Sequence, residues 1–278
     1  MHRDAYRTYF TAIEKWRSYM TDFEILENYL AIDTHTYHDN HLETLNYYIE
    51  KYVLNVPFEN INVQNGQPIA LDNPSMIDKI VNEHRGGYCY EQNRLFCAYL
   101  TSKGYNVYMV SATIYNGSGW AMEGSHMALI VTLNQKKYLV DVGYADIPKA
   151  AMPITHDEKI VYDVNGEFKV SKISDKTFEM KKKVDHQWQT QYQFRDEPKV
   201  LADFEQGIAF NQNNEASIFV QQLLISKATT FGRVTMSNNH LTITDHGQKE
   251  KKNITSENYK YFLHRYFGIK DINIKTFD

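Results

Sequence analysis

Apolar residues recur at helical spacing through the first hundred positions of the chain and at strand spacing after that. Phe23, Ile25, Leu26, Tyr29 and Leu30 form one stripe, with Asp22 as its candidate cap. Leu42, Leu45, Tyr48, Ile49 and Val53 form a second, opened by Asp39. It has to close before Pro57, because a proline drives the residue ahead of it out of the helical region. Asn73-Pro74 sets a cap before a proline at the first helical position, with Met76, Ile77, Ile80 and Val81 behind it. Gly86-Gly87 is expected to stop that helix and turn the chain. The next helix is expected from Tyr88 to Lys103, with Gly104 as its stop.

After Gly104 the period shortens. Residues 106–115 are rich in β-branched and aromatic side chains, and 126–133 and 137–142 read as strands joined by the turn Asn134-Gln135-Lys136. Strand-like segments continue at 160–162, 168–170 and 187–194. A mixed tail from Glu215 has strands near Phe219 and at 233–235 and 241–243, then a helix around 256–267. The runs Lys181-Lys182-Lys183 and Lys249-Glu250-Lys251-Lys252 read as solvated loops.

Composition narrows the function classes. At 278 residues, with 42% hydrophobic and 23% charged side chains, the chain is an ordinary globular protein with room for a sizeable core. A net charge of −4 lacks the basic footprint that general nucleic-acid binding requires. The two cysteines, Cys89 and Cys97, sit on one expected helix. Eight residues of helix separate them by roughly 12 Å, too far for a disulfide. No apolar run is long enough for a membrane helix, and the N-terminus lacks the apolar core of a signal peptide. The expected address is the cytoplasm. No metal site is called for.

Cys89 lies in Arg85-Gly86-Gly87-Tyr88-Cys89-Tyr90-Glu91-Gln92-Asn93, at the start of an expected helix, where unpaired N–H groups and the macrodipole favour a thiolate. Cys97 has no such setting and reads as core packing. His126 begins a strand, and Asp141 stands between Val140 and Val142, where a carboxylate needs a partner. A turn centred between Gln135 and Lys136 sets Asp141 opposite Ile130. His126 and Asp141 then share a face, but four strand positions apart, about 13 Å. Contact would require a bulge, or His126 curling back through the glycine-bearing loop 116–124. In contact, the three residues would form a cysteine nucleophile, its base and an orienting carboxylate.

These segments carry a resemblance. RGGYCYEQN around Cys89, Val56-Pro57-Phe58-Glu59-Asn60-Ile61, Ser125-His126-Met127-Ala128-Leu129 and Tyr138-Leu139-Val140-Asp141-Val142-Gly143-Tyr144 resemble, in order, blocks of the arylamine N-acetyltransferase family. Gly232-Arg233-Val234-Thr235 and Tyr266-Phe267-Gly268-Ile269 also fit. The resemblance implies an α+β fold with a papain- or transglutaminase-like Cys-His-Asp core. It comprises a helical bundle over 1–105, a β-barrel over 106–214 and a C-terminal α/β lid over 215–278. The twenty or so residues before Asp22 extend the usual family start.

The implied activity is acetyl-CoA-dependent N-acetylation of arylamines and arylhydrazines, with O-acetylation of N-hydroxyarylamines as a further activity. Cys89, His126 and Asp141 would be catalytic. Glu59 and Arg85 would form a supporting ion pair, Phe58 and Tyr144 would line the acceptor pocket, and Glu123-Gly124-Ser125 would contact coenzyme A, partly through backbone amides. Ala145 departs from the glycine common in the family and would narrow the acceptor cleft. One thiol served by one base implies a ping-pong course through acetyl-Cys89. The competing readings are a cysteine hydrolase or transglutaminase-like enzyme with the same three residues, and a binding module. The family blocks weigh against the first and the intact Cys-His-Asp set against the second.

Overall fold

A computed structural model describes residues 21–277 of the chain, and the segment preceding the usual family start lies outside the described residues. Helix α1 (Asp22–Leu30) is capped by Thr21, not Asp22. The Thr21 amide donates to Glu24 Oε2 at 2.6 Å and the Glu24 amide donates to Thr21 Oγ1 at 3.3 Å. Helix α2 (Leu42–Asn55) starts after His41, two residues later than Asp39 implied. Strand β1 (Phe58–Glu59) and helix α3 (Ile61–Gln64) follow. Helix α4 (Asn73–Val81) is capped one residue early: Asp72 is extended and its carboxylate accepts from the Ser75 amide, so Asn73 takes the first helical position. The helix ends at Val81, ahead of Gly86-Gly87, and the left-handed residue beyond it is His84 (φ +53°). Helix α5 (Cys89–Ser102) does end on Gly104, at φ +81°.

Among the described residues the middle of the chain forms one antiparallel sheet. Its strands are β2 (Asn106–Ile114), β3 (His126–Leu133), β4 (Lys136–Val140), β5 (Met152–Pro153), β6 (Val161–Asp163), β7 (Gly166–Lys172), β8 (Thr177–Val184) and β9 (Gln187–Arg195). Their order is β5-β4-β3-β2-β9-β8-β7-β6, and β5 comes back against β7 to make a near-closed barrel. The first lysine run is therefore not a loop. Lys181, Lys182 and Lys183 lie within β8, where alternation sends Lys182 to the ion partner Asp146 and Lys183 to Glu167.

A 3₁₀ turn (Leu201–Phe204) leads into α6 (Glu205–Asn213) and α7 (Ile218–Gln221). The expected strand near Phe219 is thus a helical turn, started by Ser217, whose hydroxyl accepts from the Phe219 amide. Strands β10 (Leu224–Ala228), β11 (Gly232–Ser237), β12 (His240–Asp245) and β13 (Gln248–Asn253) complete a second antiparallel sheet, in the order β1-β10-β11-β12-β13. The second lysine run forms its edge strand β13, and charge on an exposed edge discourages pairing with another chain. Helix α8 (Tyr259–Phe262) continues into a π turn (Leu263–Phe267) that ends at Gly268, φ +80°. The C-terminal unit is thus mainly a sheet. It takes its first strand, β1, from the helical layer.

The helices and the barrel share one apolar core that includes Leu95, Phe96, Leu129, Ile130 and Phe194, while Ile225, Met236, Phe262 and Phe267 belong to a second under the C-terminal sheet. The β3–β4 register differs from the expected one. Leu133 pairs with Lys136 and Leu129 with Val140, so the turn is the two-residue Asn134-Gln135, at φ +48° and +63°. Moving the turn by one residue brings Asp141 two strand positions closer to His126 and keeps both on the same face. No bulge in this hairpin is needed. Left-handed Gln135 carries a conformational cost that glycine avoids. Gln135→Gly should leave stability unchanged or raise it by about 0.5 kcal/mol, whereas β-branched Gln135→Val should lower it by about 1 kcal/mol or more. Equal thermal-unfolding midpoints for the two variants would contradict this turn.

Candidate active site

Cys89 is the first residue of α5, and the turn before it is shaped by close approach. A Cβ on Gly86 would stand 1.8 Å from the Pro57 carbonyl oxygen, and one on Gly87 2.4 Å from Glu91 Oε2. Neither glycine has a positive φ. Their work is to let β1 and the cysteine turn lie flush, with the Glu59 amide donating to the Gly87 carbonyl at 2.9 Å. Gly143 serves the opposite side: a Cβ there would meet Cys89 Cα at 2.7 Å and Asn93 Nδ2 at 2.8 Å.

His126 Nε2 is 2.7 Å from Asp141 Oδ2, and the other ring nitrogen is left for Cys89, to which the imidazole is also hydrogen-bonded. All three are nearly sealed from solvent, at 1%, 2% and 3% exposure for Cys89, His126 and Asp141. Burial opposes charge on the imidazole. Attraction to Asp141 and to Cys89, with a hydrogen bond to each, more than offsets that and raises its pKa from 6.5 to about 10. The arrangement holds an imidazolium beside sulfur at neutral pH. Cys97, by contrast, is made a weaker acid by burial, its pKa pushed up to about 11.

Asp141 is held by partners that the sequence did not announce. Tyr192 Oη donates to Oδ2 at 3.0 Å, and Asn93 Nδ2 and the Gly143 amide each donate to Oδ1 at 2.8 Å. Asn93 also donates to the Met127 carbonyl and accepts from the Val142 amide, joining α5 to β3 and to the turn after β4. Asn93 stands four residues after Cys89 and was a possible signal for this role. Tyr192 arrives from β9, where a bulge between Met180 and Lys181 leaves Gln191 as the extra residue.

Glu59 and Arg85 are in contact, at 2.9 and 3.2 Å. They belong to a larger buried group in which Lys79 lies 3.3 Å from Glu59 and 2.9 Å from Glu91. Phe58 packs in the apolar cluster around Cys89 with Tyr88, Tyr90, Met127 and Phe204, and Ala145 rests against the same cluster. Tyr144 stands edge-on to His126, 5.6 Å between ring centres. Phe58, Tyr144 and Ala145 also line a common narrow crevice with Arg233. Of the 123–125 stretch, Glu123 is exposed. The Gly124 and Ser125 amides already donate within the chain, to Thr113 Oγ1 and the Met122 carbonyl. Coenzyme contacts through those two amides would require these bonds to be given up.

Residues 41–275 match the family described as N-acetyltransferase. The chain belongs to the arylamine N-acetyltransferase family. The uncharacterised acetyltransferase YvcN of Bacillus subtilis is 29% identical over 216 residues, 76% of this chain and 85% of its own. The crystal structure of a Bacillus cereus arylamine N-acetyltransferase matches with a TM-score of 0.81 at 27% identity, over 91% of this chain and 100% of that one. That enzyme has a Cys-His-Glu catalytic triad, whereas the carboxylate on the imidazole here is an aspartate. The Salmonella typhimurium arylamine N-acetyltransferase shares the fold, with a TM-score of 0.84 at 22% identity over 92% of this chain and 94% of that one.

The buried ion group has a measurable signature in this family member. Burial pushes the Glu59 pKa up, but the Arg85 and Lys79 cations and the Ile61 amide outweigh it and bring it from 4.5 down to about 2. A lowered carboxylate pKa gives stability that is full above pH 4.5 and fades as pH falls towards 2. Glu59→Gln should therefore cost on the order of 3 kcal/mol at pH 7, and the gap to the parent should shrink steadily below pH 4.5. Urea unfolding across that range measures it, and a gap independent of pH would be inconsistent with an ionised Glu59.

Proposed function

We propose that the protein transfers an acetyl group from acetyl-CoA to aromatic amines and hydrazines through an acetyl-Cys89 intermediate, and O-acetylates N-hydroxyarylamines at the same site. The observation that carries this reading is the contact of Cys89, at a helix N-terminus, with an imidazole that Asp141 holds by its far nitrogen. Sulfur-to-sulfur acyl exchange is nearly thermoneutral, so a thiolate suits the family's thioester donor, acetyl-CoA.

In the first half-reaction the Cys89 thiolate forms a bond to the acetyl carbonyl carbon, the carbon–sulfur bond to coenzyme A breaks, and His126 gives its proton to the departing thiolate. In the second the amine nitrogen attacks acetyl-Cys89. His126 takes the amine proton, the amide forms and the Cys89 thiolate is restored. Asp141 remains ionised throughout and fixes the ring orientation. The Cys89 backbone N–H is the proposed oxyanion donor. Phe58 and Tyr144 are the proposed walls of the acceptor pocket, with Ala145 narrowing it. Glu59 and Arg85 support the cysteine turn. The aromatic enclosure of Cys89 suits a flat ring better than a peptide backbone, which favours transfer over the hydrolase or transglutaminase reading. A cytoplasmic location agrees with two free cysteines.

Incubation with acetyl-CoA alone should add one acetyl group, located on Cys89 by peptide mass spectrometry and absent from Cys89→Ser. Coenzyme A release without any detectable acetyl-enzyme would point instead to direct transfer in a ternary complex. Asp141→Asn should retain a folded far-UV spectrum but lose at least 100-fold in kcat/KM, about 2.7 kcal/mol. Both Asp141 oxygens accept two hydrogen bonds, so an amide NH₂ in either position faces donors. A loss of threefold or less would make the residue merely structural.

A further inference from the structure

Gly87, Tyr88 and Cys89 are joined by two peptide planes, and α5 holds both from its own first turn. The plane between Gly87 and Tyr88 is gripped at each end. Glu91 Oε2 accepts from the Tyr88 amide at 3.2 Å, and Gln92 Nε2 donates to the Gly87 carbonyl at 2.6 Å, beside the Glu59 amide. In the plane between Tyr88 and Cys89, the Tyr88 carbonyl accepts from the Glu91 and Gln92 amides, both at 3.1 Å. Three of the four polar ends are thus engaged by two consecutive residues. The fourth is the Cys89 N–H. It stands at the first helical position, where no intrahelical acceptor exists, and none of the described residues supplies another.

These attachments are costly. Glu91 is a carboxylate with 1% exposure, held through Oε1 by Lys79 Nζ at 2.9 Å and by the Ala70 amide at 3.3 Å. Gln92 is fully buried, and its Oε1 has no hydrogen-bond partner. Leaving that oxygen unpaired costs about 1–3 kcal/mol, which a methionine of similar length would avoid. The end of Gln92 that is satisfied is the one that reaches the Gly87 carbonyl. The turn needs such a hold. Gly86 and Gly87 let it lie against Pro57 and Glu91, but glycine is the residue least able to fix a peptide plane by itself.

We propose that Glu91 and Gln92 are positioning residues for the transfer. By clamping the peptide planes ahead of Cys89 they aim its free N–H at the acetyl carbonyl oxygen, where negative charge gathers as the Cys89 sulfur bonds to the carbonyl carbon. This inference rests on the proposed acetyltransferase activity and deepens it by naming what orients the oxyanion donor. Such a donor acts only when it is preset to the transition state, and losing one lowers kcat about 100- to 1000-fold. A donor left in place but loosely aimed loses a fraction of that.

The clamp makes acylation and alkylation of Cys89 separable. Acetyl transfer needs the thiolate and the aimed N–H. Displacement of iodide from iodoacetamide needs the thiolate alone, since no oxyanion forms. Both rates are read at Cys89 by peptide mass spectrometry. Gln92→Met removes the donor to the Gly87 carbonyl and introduces no unpaired charge. It should slow acetylation by acetyl-CoA about tenfold, a change worth about 1.4 kcal/mol, while the iodoacetamide rate stays within about twofold. Glu91→Gln should split the rates in the same sense, because Lys79 keeps the amide oxygen and the NH₂ then faces the Tyr88 N–H. It also leaves the buried cations one charge in excess, so its unfolding midpoint should fall. Two rates at one sulfur separate aim from fold, since general damage to the turn moves both. Equal slowing of both reactions in Gln92→Met, or no slowing of either, overturns the clamp. A Glu91→Gln protein with the parent's ratio overturns the part given to Glu91. A parent that reacts with iodoacetamide at Cys89 but is never acetylated there refutes the acetyltransferase reading, and the inference with it.

Discussion

A carboxylate sealed between a helix and a barrel must have every lone pair engaged, and much of the arrangement around Asp141 follows from that demand. Its four donors come from α5, β3, β9 and the turn after β4. Breaking any one of them leaves a buried charge underpaired, at a cost of several kcal/mol, so the helical layer and the barrel are locked in one relative position. That position also fixes the distance between Cys89 and His126. The same bonds that make the aspartate tolerable thus set the geometry of the thiol and its imidazole. Gly143 completes the constraint, since any side chain there would push the hairpin off Cys89.

The segment from Val56 to Asn60 is the second fixed point. Pro57 lies against Gly86, Glu59 anchors the buried cations, and β1 pairs with β10. Asn60 donates to the Phe219 and Gln222 carbonyls and accepts from the Leu224 amide. One short stretch therefore touches the cysteine turn, the C-terminal sheet and the turn bearing Phe219. The C-terminal unit is tied to the Cys89 segment through this stretch, so it is a continuation of the helical layer's edge more than a separate cover.

The sequence reading reached the three central residues because local signals survive without tertiary knowledge. A cysteine at a helix start, strand parity and an aspartate between two valines are all of this kind. Parity survived even though the β3–β4 turn was misplaced by one residue, because such a shift moves the partner by two positions and returns every side chain to the same face. Distance did not survive, and the expected bulge was an artefact of the turn. Tyr192 was out of reach for a different reason: its orientation depends on a bulge in a pairing with β8, a strand misread because its lysines look like a solvated loop. Alternation along a barrel wall explains those lysines, since only Lys182 of the three finds Asp146. The glycines before Cys89 read as turn residues in the sequence, while their constraint in the fold is contact with Glu91, one helical turn on, and with Pro57, which only the folded chain brings near.

Dryness and charge work together at this site. A sulfur–imidazolium pair is weak in water, where solvent competes for both partners, and stronger where solvent is excluded. The aromatic cluster around Cys89 supplies that exclusion, and Asp141 supplies the charge that keeps the imidazole protonated despite it. Removing either would undo the other: an exposed pair would lose its attraction, and a buried imidazole without the carboxylate would shed its proton. The same enclosure bears on the fate of an acetylated cysteine. A thioester is consumed by water as readily as by a poorly placed amine, so a covalent course favours transfer only if an acceptor reaches the sulfur more easily than solvent does. Rings packed over the thiol keep solvent from it, which is the half of that requirement the fold supplies.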